Sequence, residues 1–495
     1  MKAKRILAAL LSVMTLVPAA ACGDSAGTQT AAPSGETAAA GGGTETAAAE
    51  TEPEFMPEQT DMEGFELVIL NYTPEGFNWA NTLITAEEQN GEVLNDAVYQ
   101  RETATEEYLN CVITEEKSGS VPATLKKSVS AGDHLYDVVM LFDASITESY
   151  AGGYLMPWNA VPTVLLENDY WDPHATELYN VHGNQMSLSG DFSLYDYSTR
   201  HCYAVNKTML GSIMPDVSVY DDARSGKWTL DRMYEIAAAA ESDINGDGVI
   251  DKDDRHGISG SIVRHYSAML AGANVTYIEK TEDGGLRFAI PGNEYAISVL
   301  QKLVSLNQGN TVYYLKGSGI GDFDYSIFHN SLSLFQASYI GEIEKTRDMD
   351  DDVGIMPPPK FSEEQDGYHS LVEGGAQSVL PKTLTAERAA DVGTVIDAFA
   401  YFSQRDEIPA YIDVLVKSKY ARDEDAAEMV SIIFDSGIYD LGVGAFSGSF
   451  KNVYSSKVFV KREDNIASTT DSIAEKGQKE IDKFIAKLEE AANNA

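Results

Sequence analysis

The sequence predicts an α/β protein with two lobes, and three observations support this class. Short apolar runs such as FELVIL at 65–70 and YDVVMLF at 136–142 alternate with helical stretches. Such runs are typical of strands buried on both faces, and their alternation with helices predicts βαβ units with parallel strands. The chain from residue 62 to residue 495 is long enough for two domains. The same pattern resumes after 189–207, a long β-prone stretch that we expect to cross between the lobes.

The first half of the folded body predicts three strands separated by two helices. We assign strands to 65–70, 111–116 and 136–142, and helices to 90–109 and 120–132. In the first of these helices, Val93, Leu94, Ala97 and Val98 have the spacing of one helical face. This half therefore predicts the strands and helices of one lobe.

The second half contains further strands and helices without a repeat of fixed period. We assign helices to 228–240, 295–306 and 386–404, and strands to 331–338, 352–360 and 376–381. Thr229 is predicted to cap the helix at 228–240, and the end of the chain carries an apolar stripe that includes Ile481 and Phe484. The predicted lobes are residues 62–195 with 376–415, and residues 196–375 with 416–495.

The first 22 residues predict export and a lipid anchor. A basic start and a short apolar segment lead into small residues that end at Cys22. This is the pattern of a secretory signal, and its end resembles the lipobox of bacterial lipoproteins, in which the cysteine carries the lipid. The alternative is an ordinary signal peptide cut near Ala21. We predict a chain anchored through Cys22 to the extracellular face of the cytoplasmic membrane, without a membrane-spanning helix.

Residues 23–61 predict a flexible acidic tether between the anchor and the folded body. They are rich in Ala, Thr, Gly and Glu, have few large apolar residues, and contain no Lys or Arg. A segment of this composition cannot bury enough apolar surface to offset the entropy lost on folding.

The charge and the cysteines limit the partners and the covalent structure. The formal net charge is −41, with 77 acidic against 36 basic residues, which argues against nucleic acid and against an anionic membrane surface. Beyond Cys22 the sequence contains two cysteines, Cys111 and Cys202. We favour two buried thiols over a disulfide, because a disulfide framework would contain more cysteines.

The stretch DINGDGVIDKDD at 243–254 predicts a calcium loop. Its candidate ligands are Asp243, Asn245, Asp247, the carbonyl of Val249, Asp251 and Asp254. These residues fall at positions one, three, five, seven, nine and twelve of an EF-hand loop, and Gly248 falls at position six, where the chain turns sharply. The alternative is an acidic surface turn that needs no metal. We expect Ca²⁺ to act here as a structural cofactor, away from the ligand site.

Searches for catalytic motifs give no support for an enzyme. The sequence has no G-x-x-x-x-G-K-[ST], G-x-G-x-x-G, G-x-S-x-G, H-E-x-x-H or C-x-x-C motif. Aromatic residues are frequent near the predicted strands, where they could stack on sugar rings or fill the core. They are Tyr72, Phe77, Trp79, Tyr150, Trp158, Tyr195, Tyr197, Tyr203, Tyr325, Tyr339 and Tyr368.

The order of these motifs resembles a known family. The chain resembles the extracellular solute-binding proteins of bacterial ABC importers. The likeness is carried by a lipobox, an acidic tether, YDVVMLF, YAVNKTML, WTLDRMYEIA, the calcium loop and DVGIMPPPK, in this order. Within that family, the likeness is to the carbohydrate-binding branch related to maltose-binding protein. The resemblance implies a type II periplasmic-binding-protein-like fold, in which two lobes joined by crossing strands close on a ligand and the closed form docks on the permease.

The resemblance also implies candidate ligand residues. They are Asn71 and Tyr72 at the end of the first strand, Asp143 at the end of the third, Tyr339, and Glu373 before a crossing strand. Tyr339 occupies the position of a stacking Trp in the maltose-binding relatives, but its context ASYIGE departs from theirs.

The predicted function is capture of a sugar or oligosaccharide by a lipid-anchored monomer, which delivers it to ABC permease subunits. One alternative is a binding protein for a peptide or another polar solute. Another is a cell-surface carbohydrate-active enzyme, and a third is a dockerin-type module, which would need a second calcium loop.

Overall fold

The computed structural model describes residues 56–75, 80–314, 325–420 and 424–494. The predicted signal segment, Cys22 and most of the predicted tether lie outside the described residues, as do Phe77 and Trp79. Among the helices in the described part of the chain, none is both long and apolar enough to span a bilayer.

A mixed five-stranded sheet forms the centre of the first lobe. Numbered in chain order, its strands are β1 (Phe65–Tyr72), β2 (Cys111–Ser118), β3 (Val138–Phe142), β4 (Leu155–Met156) and β15 (Ala376–Pro381). Their order across the sheet is β2-β1-β3-β15-β4, with β1, β2 and β3 parallel and β15 antiparallel to β3. The carboxyl ends of the three parallel strands therefore share one edge with the beginning of β15.

A second five-stranded sheet forms the centre of the other lobe. Its strands are β7 (His201–Asn206), β8 (His256–Ser259), β11 (Val312–Tyr313), β12 (Ser333–Tyr339) and β13 (Val353–Met356), in the order β11-β8-β12-β7-β13. β12 is parallel to β8 and antiparallel to β7, so Tyr339 at the end of β12 pairs with His201 at the start of β7.

Short two-stranded sheets complete the strands. They are β5 (Asn180–Val181) with β6 (Asn184–Gln185), β9 (Ile278–Lys280) with β10 (Leu286–Phe288), and β14 (Ser370–Leu371) with β16 (Gly437–Ile438).

The helices cover the faces of both sheets. In chain order they are α1 (Val93–Leu109), α2 (Val121–Ala131), α3 (Asp143–Ala151), α4 (Pro173–Tyr179), α5 (Tyr195–Ser198), α6 (Lys207–Ile213), α7 (Val219–Arg224), α8 (Leu230–Ala240), α9 (Ile262–Gly272), α10 (Glu294–Leu306), α11 (Ser326–His329), α12 (Ile340–Ile343), α13 (Ala386–Phe402), α14 (Ile408–Tyr420), α15 (Glu424–Asp435), α16 (Lys451–Tyr454) and α17 (Ile466–Ala492). Short 3-10 turns lie at Trp158–Ala160 and Glu344–Asp348, and π-helical turns at Ser403–Glu407 and Ser455–Phe459.

Three segments connect the lobes side by side. The first leads through α5 into β7, the second leads from β14 into β15, and the third ends in β16. Arg200 and Val372 bridge the first two segments, and β14 pairs with β16 to join the second and the third. The fold is therefore the predicted two-lobed α/β architecture with crossing segments.

The predicted helices and strands agree with the structure except where tertiary contacts override the local sequence pattern. Thr229 accepts a hydrogen bond from the Arg232 amide at 3.3 Å, which confirms the predicted cap of α8. The β-prone stretch 189–207, expected to cross between the lobes, forms the first crossing segment, and within it His201–Asn206 is a strand and Tyr195–Ser198 a helical turn. Cys111 and Cys202 are buried free thiols, as expected.

Helix α17 packs against both lobes. Its Phe484 ring lies 6.4 Å from Tyr150 of α3 in the first lobe. Its Gln478 accepts a hydrogen bond from the Phe288 amide of β10, which lies between α9 and α10 of the second lobe, at 3.0 Å. The assignment of residues 416–495 to the second lobe alone remains a prediction, and α17 itself touches both lobes.

Candidate ligand cleft and calcium loop

The candidate cleft is the region where the carboxyl edges of the two sheets meet the crossing segments. In open α/β sheets, ligands bind at the carboxyl ends of the parallel strands, where loops and helix starts present polar groups. Asp143 follows β3 at the edge of the first sheet, Tyr339 ends β12 at the edge of the second, and Glu373 precedes β15 in a crossing segment.

Asp143 is held by two side chains of the first lobe. Its Oδ1 accepts hydrogen bonds from the Tyr179 hydroxyl at 3.2 Å and from Gln377 Nε2 at 2.5 Å. Burial raises the pKa of Asp143 to about 7, and the charges of Asp196 and Glu373 act in the same direction. Asp143 is thus a carboxyl group poised to accept a hydrogen bond or, when protonated, to donate one.

Glu373 of the crossing segment is ionised and paired with two side chains. It forms an ion pair with Lys451 Nζ and a hydrogen bond with His201 Nε2 at 3.0 Å, and its side chain is 12% exposed. Burial by itself raises the pKa of Glu373, but Lys451 and His201 outweigh it and hold the pKa at about 2. Burial lowers the pKa of His201.

Tyr339 contributes an aromatic face beside a buried ion pair. The Arg264 guanidinium lies 3.7 Å from the centre of the Tyr339 ring and pairs with Glu342. The backbone N–H of Tyr339 also donates to Glu342 at 3.1 Å, and the His201 ring meets the Tyr339 ring edge-on at 4.8 Å. One face of this tyrosine is therefore already stacked on a cation.

Asn71 and Tyr72 lie at the same edge of the first sheet but face inward. Asn71 is fully buried, donates to the Thr82 carbonyl at 2.9 Å and to Glu115 at 2.7 Å, and accepts from the Tyr195 hydroxyl at 3.2 Å. The Tyr72 ring packs 4.6 Å from Phe142, and burial raises its pKa to about 12. Asn71 thus fixes the loop after β1 to the crossing segment, which is a supporting position.

Three of the five candidate ligand residues form one cluster through shared neighbours: Glu373 and Tyr339 both contact His201, and Asp143 accepts from Gln377, four residues after Glu373. The charge of Glu373 contributes to the raised pKa of both Asp143 and Tyr339. The other two, Asn71 and Tyr72, are linked to Phe142, the residue before Asp143. The Tyr72 ring packs on Phe142, and Asn71 accepts from Tyr195, whose ring also contacts Phe142.

Four residues of this cluster were missed from the sequence: Tyr179, His201, Gln377 and Lys451. No motif marks them, because each is 36 to 234 residues from the residue that it contacts. Of the aromatic residues singled out in the sequence, Tyr150, Trp158, Tyr195 and Tyr203 are buried in the core, which agrees with the alternative that they fill it.

The predicted calcium loop joins α8 to β8, and its side chains hydrogen-bond its own backbone. Carboxylate oxygens of Asp243, Asp247 and Asp254 lie within 4.8 Å of one another. Asp243 accepts from the Gly248 amide at 2.8 Å, and Asp254 accepts from the Ile244 amide at 3.0 Å, so side chains at both ends fold the loop upon itself. The backbone N–H groups of Asp251 and Ile244 lower the pKa of Asp254.

These residues fit a calcium ion by their chemistry. Three carboxylates supply hard oxygen ligands, and Gly248 has the positive φ of 83° that the sharp turn requires. The loop also lies far from the cleft. It ends where His256 pairs with Ser333 at the start of β12, and Tyr339 is about 20 Å further along that strand.

Comparisons with known proteins match by structure alone. No protein-family model matches the chain, and no curated protein matches its sequence. The GacH receptor of Streptomyces glaucescens GLA.O, solved unliganded and with acarbose, matches with a TM-score of 0.51 at 12% identity over 84% of this chain and 99% of that chain. The cyclic alpha-maltosyl-1,6-maltose binding protein from Arthrobacter globiformis matches with a TM-score of 0.52 at 12% identity, over 87% of this chain and 100% of that chain. M. tuberculosis UspC matches with a TM-score of 0.54 at 14% identity, over 84% of this chain and 100% of that chain.

The chain therefore has the two-lobed fold of these structures. The match covers nearly the whole length of each of these structures, so both lobes and their connections are shared.

Proposed function

We propose that the protein captures a neutral sugar or oligosaccharide between its lobes and delivers it to an ABC importer. The observation that carries this proposal is that residues from two sheet edges and a crossing segment share neighbours in a fold shared with sugar-binding proteins. His201 contacts both Glu373 and Tyr339, and Gln377 of β15 donates to Asp143. Ligand binding would then shift an equilibrium between open and closed lobes by its preference for the closed form.

The charges around the cleft favour a neutral ligand over a peptide. Lys451 pairs with Glu373, Arg264 pairs with Glu342, and Arg200 pairs with Asp172 at 3.4 Å. A peptide carboxylate would have to displace one of these buried pairs, at a cost of several kcal/mol. Sugar hydroxyls can instead share hydrogen bonds with Asp143 and pack against aromatic rings.

The test is a thermal-shift screen of the full-length chain in detergent against neutral oligosaccharides, amino acids and peptides. A ligand at about 100 times its Kd adds roughly 2.7 kcal/mol of stability. We expect a shift with at least one neutral sugar, loss of that shift in D143A, and retention of it in D216A, since Asp216 lies on the exposed surface. A shift with a peptide and with no sugar would contradict the proposal.

The same samples distinguish binding from hydrolysis. The structural neighbours include binding proteins for sugars, and we propose that this chain also binds without turnover. Incubation with the stabilising oligosaccharide should leave its length unchanged in chromatography. Release of shorter sugars would favour the carbohydrate-active enzyme.

We also propose that Ca²⁺ occupies 243–254 as a structural ion and that Cys22 carries a lipid at the extracellular face of the cytoplasmic membrane. The converging carboxylates support the first proposal, and the lipobox-like sequence supports the second. Replacement of Cys22 by Ser should move the protein from the membrane fraction to the medium.

A further inference from the structure

The segment from Tyr439 to Lys451 touches both lobes and the crossing region between them. It follows β16 and ends at the first residue of α16. Lys451 pairs with Glu373 of the crossing segment, and the Tyr439 ring lies 5.9 Å from Tyr179 of the first lobe. No sequence motif marks this segment, although it contains Gly442, Gly444 and Gly448.

Its first part is fastened to the second lobe. Asp440 accepts hydrogen bonds from the backbone N–H groups of Tyr277 at 2.7 Å and Ile278 at 3.2 Å. A side chain at Gly442 would come within 3.4 Å of the Tyr277 ring and 3.1 Å of the Asp440 carboxylate. The start of the segment is therefore attached to the second lobe through Asp440.

Gly444 faces the first lobe at Asp143. A Cβ atom at Gly444 would lie 2.7 Å from Cγ and 2.8 Å from Cβ of Asp143, closer than such atoms approach in proteins. Rotation of the Asp143 side chain cannot relieve the second contact, because Cβ is fixed to the backbone at the start of α3. Only a displacement of α3 from the segment would make room.

We propose that Tyr439–Lys451 is the surface of the second lobe that receives Asp143 on closure, and that Gly444 is the position that allows the lobes to close. The inference rests on the two-lobed binding mechanism proposed above, but not on the identity of the ligand. Gly444 is a positioning residue, because it sets how closely Asp143 approaches the rest of the cleft.

The test uses G444A with G448A as its matched control. Neither glycine has a positive φ, so alanine fits the backbone at both, and a Cβ atom at Gly448 would meet nothing within 4 Å. Spin labels at S130C on α2 and S298C on α10, which are exposed outer positions of the two lobes, report the interlobe distance by electron–electron resonance. Cys111 and Cys202 are buried and should not react with the label.

We expect wild type and G448A, without any sugar, to share a population with a short interlobe distance. In G444A that population should fall by about tenfold or more, since a Cβ atom at residue 444 has no room where the segment lies against Asp143. The double variant D143G/G444A removes both clashing atoms and should restore it. Melting by circular dichroism should remain cooperative in all four proteins.

Several outcomes would overturn the proposal. They are an unchanged interlobe distance distribution in G444A, a failure of D143G/G444A to restore the short-distance population, and the absence of that population from wild type. Loss of the cooperative melt in G444A would also contradict it, because the contact would then be required for folding. Since no sugar is added, these results are independent of a failure of the sugar screen.

Discussion

At the residue scale, Glu373 illustrates how neighbours decide the state of a buried carboxyl group. Burial alone would raise its pKa, but Lys451 and His201 keep it ionised with a pKa of about 2, below its ordinary value of 4.5. Asp143, without a cation among its hydrogen-bond partners, has a pKa of about 7. Two carboxyl groups of one cleft therefore have opposite shifts.

Replacement of Lys451 by Met should reduce stability in a pH-dependent way. A depressed pKa contributes stability that is present above pH 4.5 and is lost as the pH falls through about 2. At pH 7 we expect K451M to lose up to about 3 kcal/mol of unfolding free energy, and this deficit should shrink as the pH falls from 4.5 towards 2. Urea unfolding across this range measures it.

The matched control for K451M is K479M. Lys479 pairs with Glu475 on α17, with exposed fractions of 71% and 83%, so its removal should change stability little at any pH. Equal deficits in the two variants, or a K451M deficit that grows at low pH, would refute the prediction.

At the element scale, the loop at 243–254 is a connection whose conformation its own side chains specify. Ser242 and Arg255 exchange backbone hydrogen bonds at 3.1 and 3.0 Å, which closes the loop at its base. Inside it, three aspartates with like charge lie within 4.8 Å, an arrangement that a divalent cation would stabilise.

Removal of calcium should therefore lower the melting temperature of the protein and leave its ligand affinity nearly unchanged. Asp254 lies at a ligand position, whereas the exposed Asp253 pairs with Lys252 at 2.5 Å. Differential scanning calorimetry with calcium and with chelator should show a calcium-dependent shift in wild type and D253N but not in D254N. A ligand affinity that falls with chelator in a still-folded protein would contradict the structural role.

At the scale of the whole molecule, α17 joins the two lobes along one side. The Phe484 ring packs against Tyr150 of α3 and lies 5.8 Å from Phe446 of the segment that follows β16. Phe484 is 5% exposed, so its ring is buried between α3 and the segment that follows β16.

Replacement of Phe484 by Ala should cost about 3–5 kcal/mol, because it opens a cavity at this junction. Its neighbour Lys483 is exposed, so K483A should be close to neutral. Chemical denaturation of both variants measures the difference. An F484A variant with an unchanged free energy of unfolding would show that α17 does not hold the lobes together.

Local patterns explain which parts of the fold were predictable. Val138–Phe142 is an apolar run because both of its faces are covered, and Thr229 caps α8 through the amide three residues later. These signals need only neighbouring residues. Within 189–207, the helical turn at Tyr195–Ser198 was not predicted, because a distant residue helps to hold it: Asp196 accepts from the Tyr439 hydroxyl at 2.9 Å.

The sequence by itself determined the α/β class, the crossing segments, the buried thiols and the spacing of the calcium-loop ligands, since each depends on periodicity or composition along the chain. Only the tertiary structure decided that Lys451 pairs with Glu373, 78 residues away, that Asn71 faces inward, and that Gly444 lies against Asp143. These facts depend on how two sheets meet. No local pattern records that geometry, because the contacts join residues that are distant along the chain.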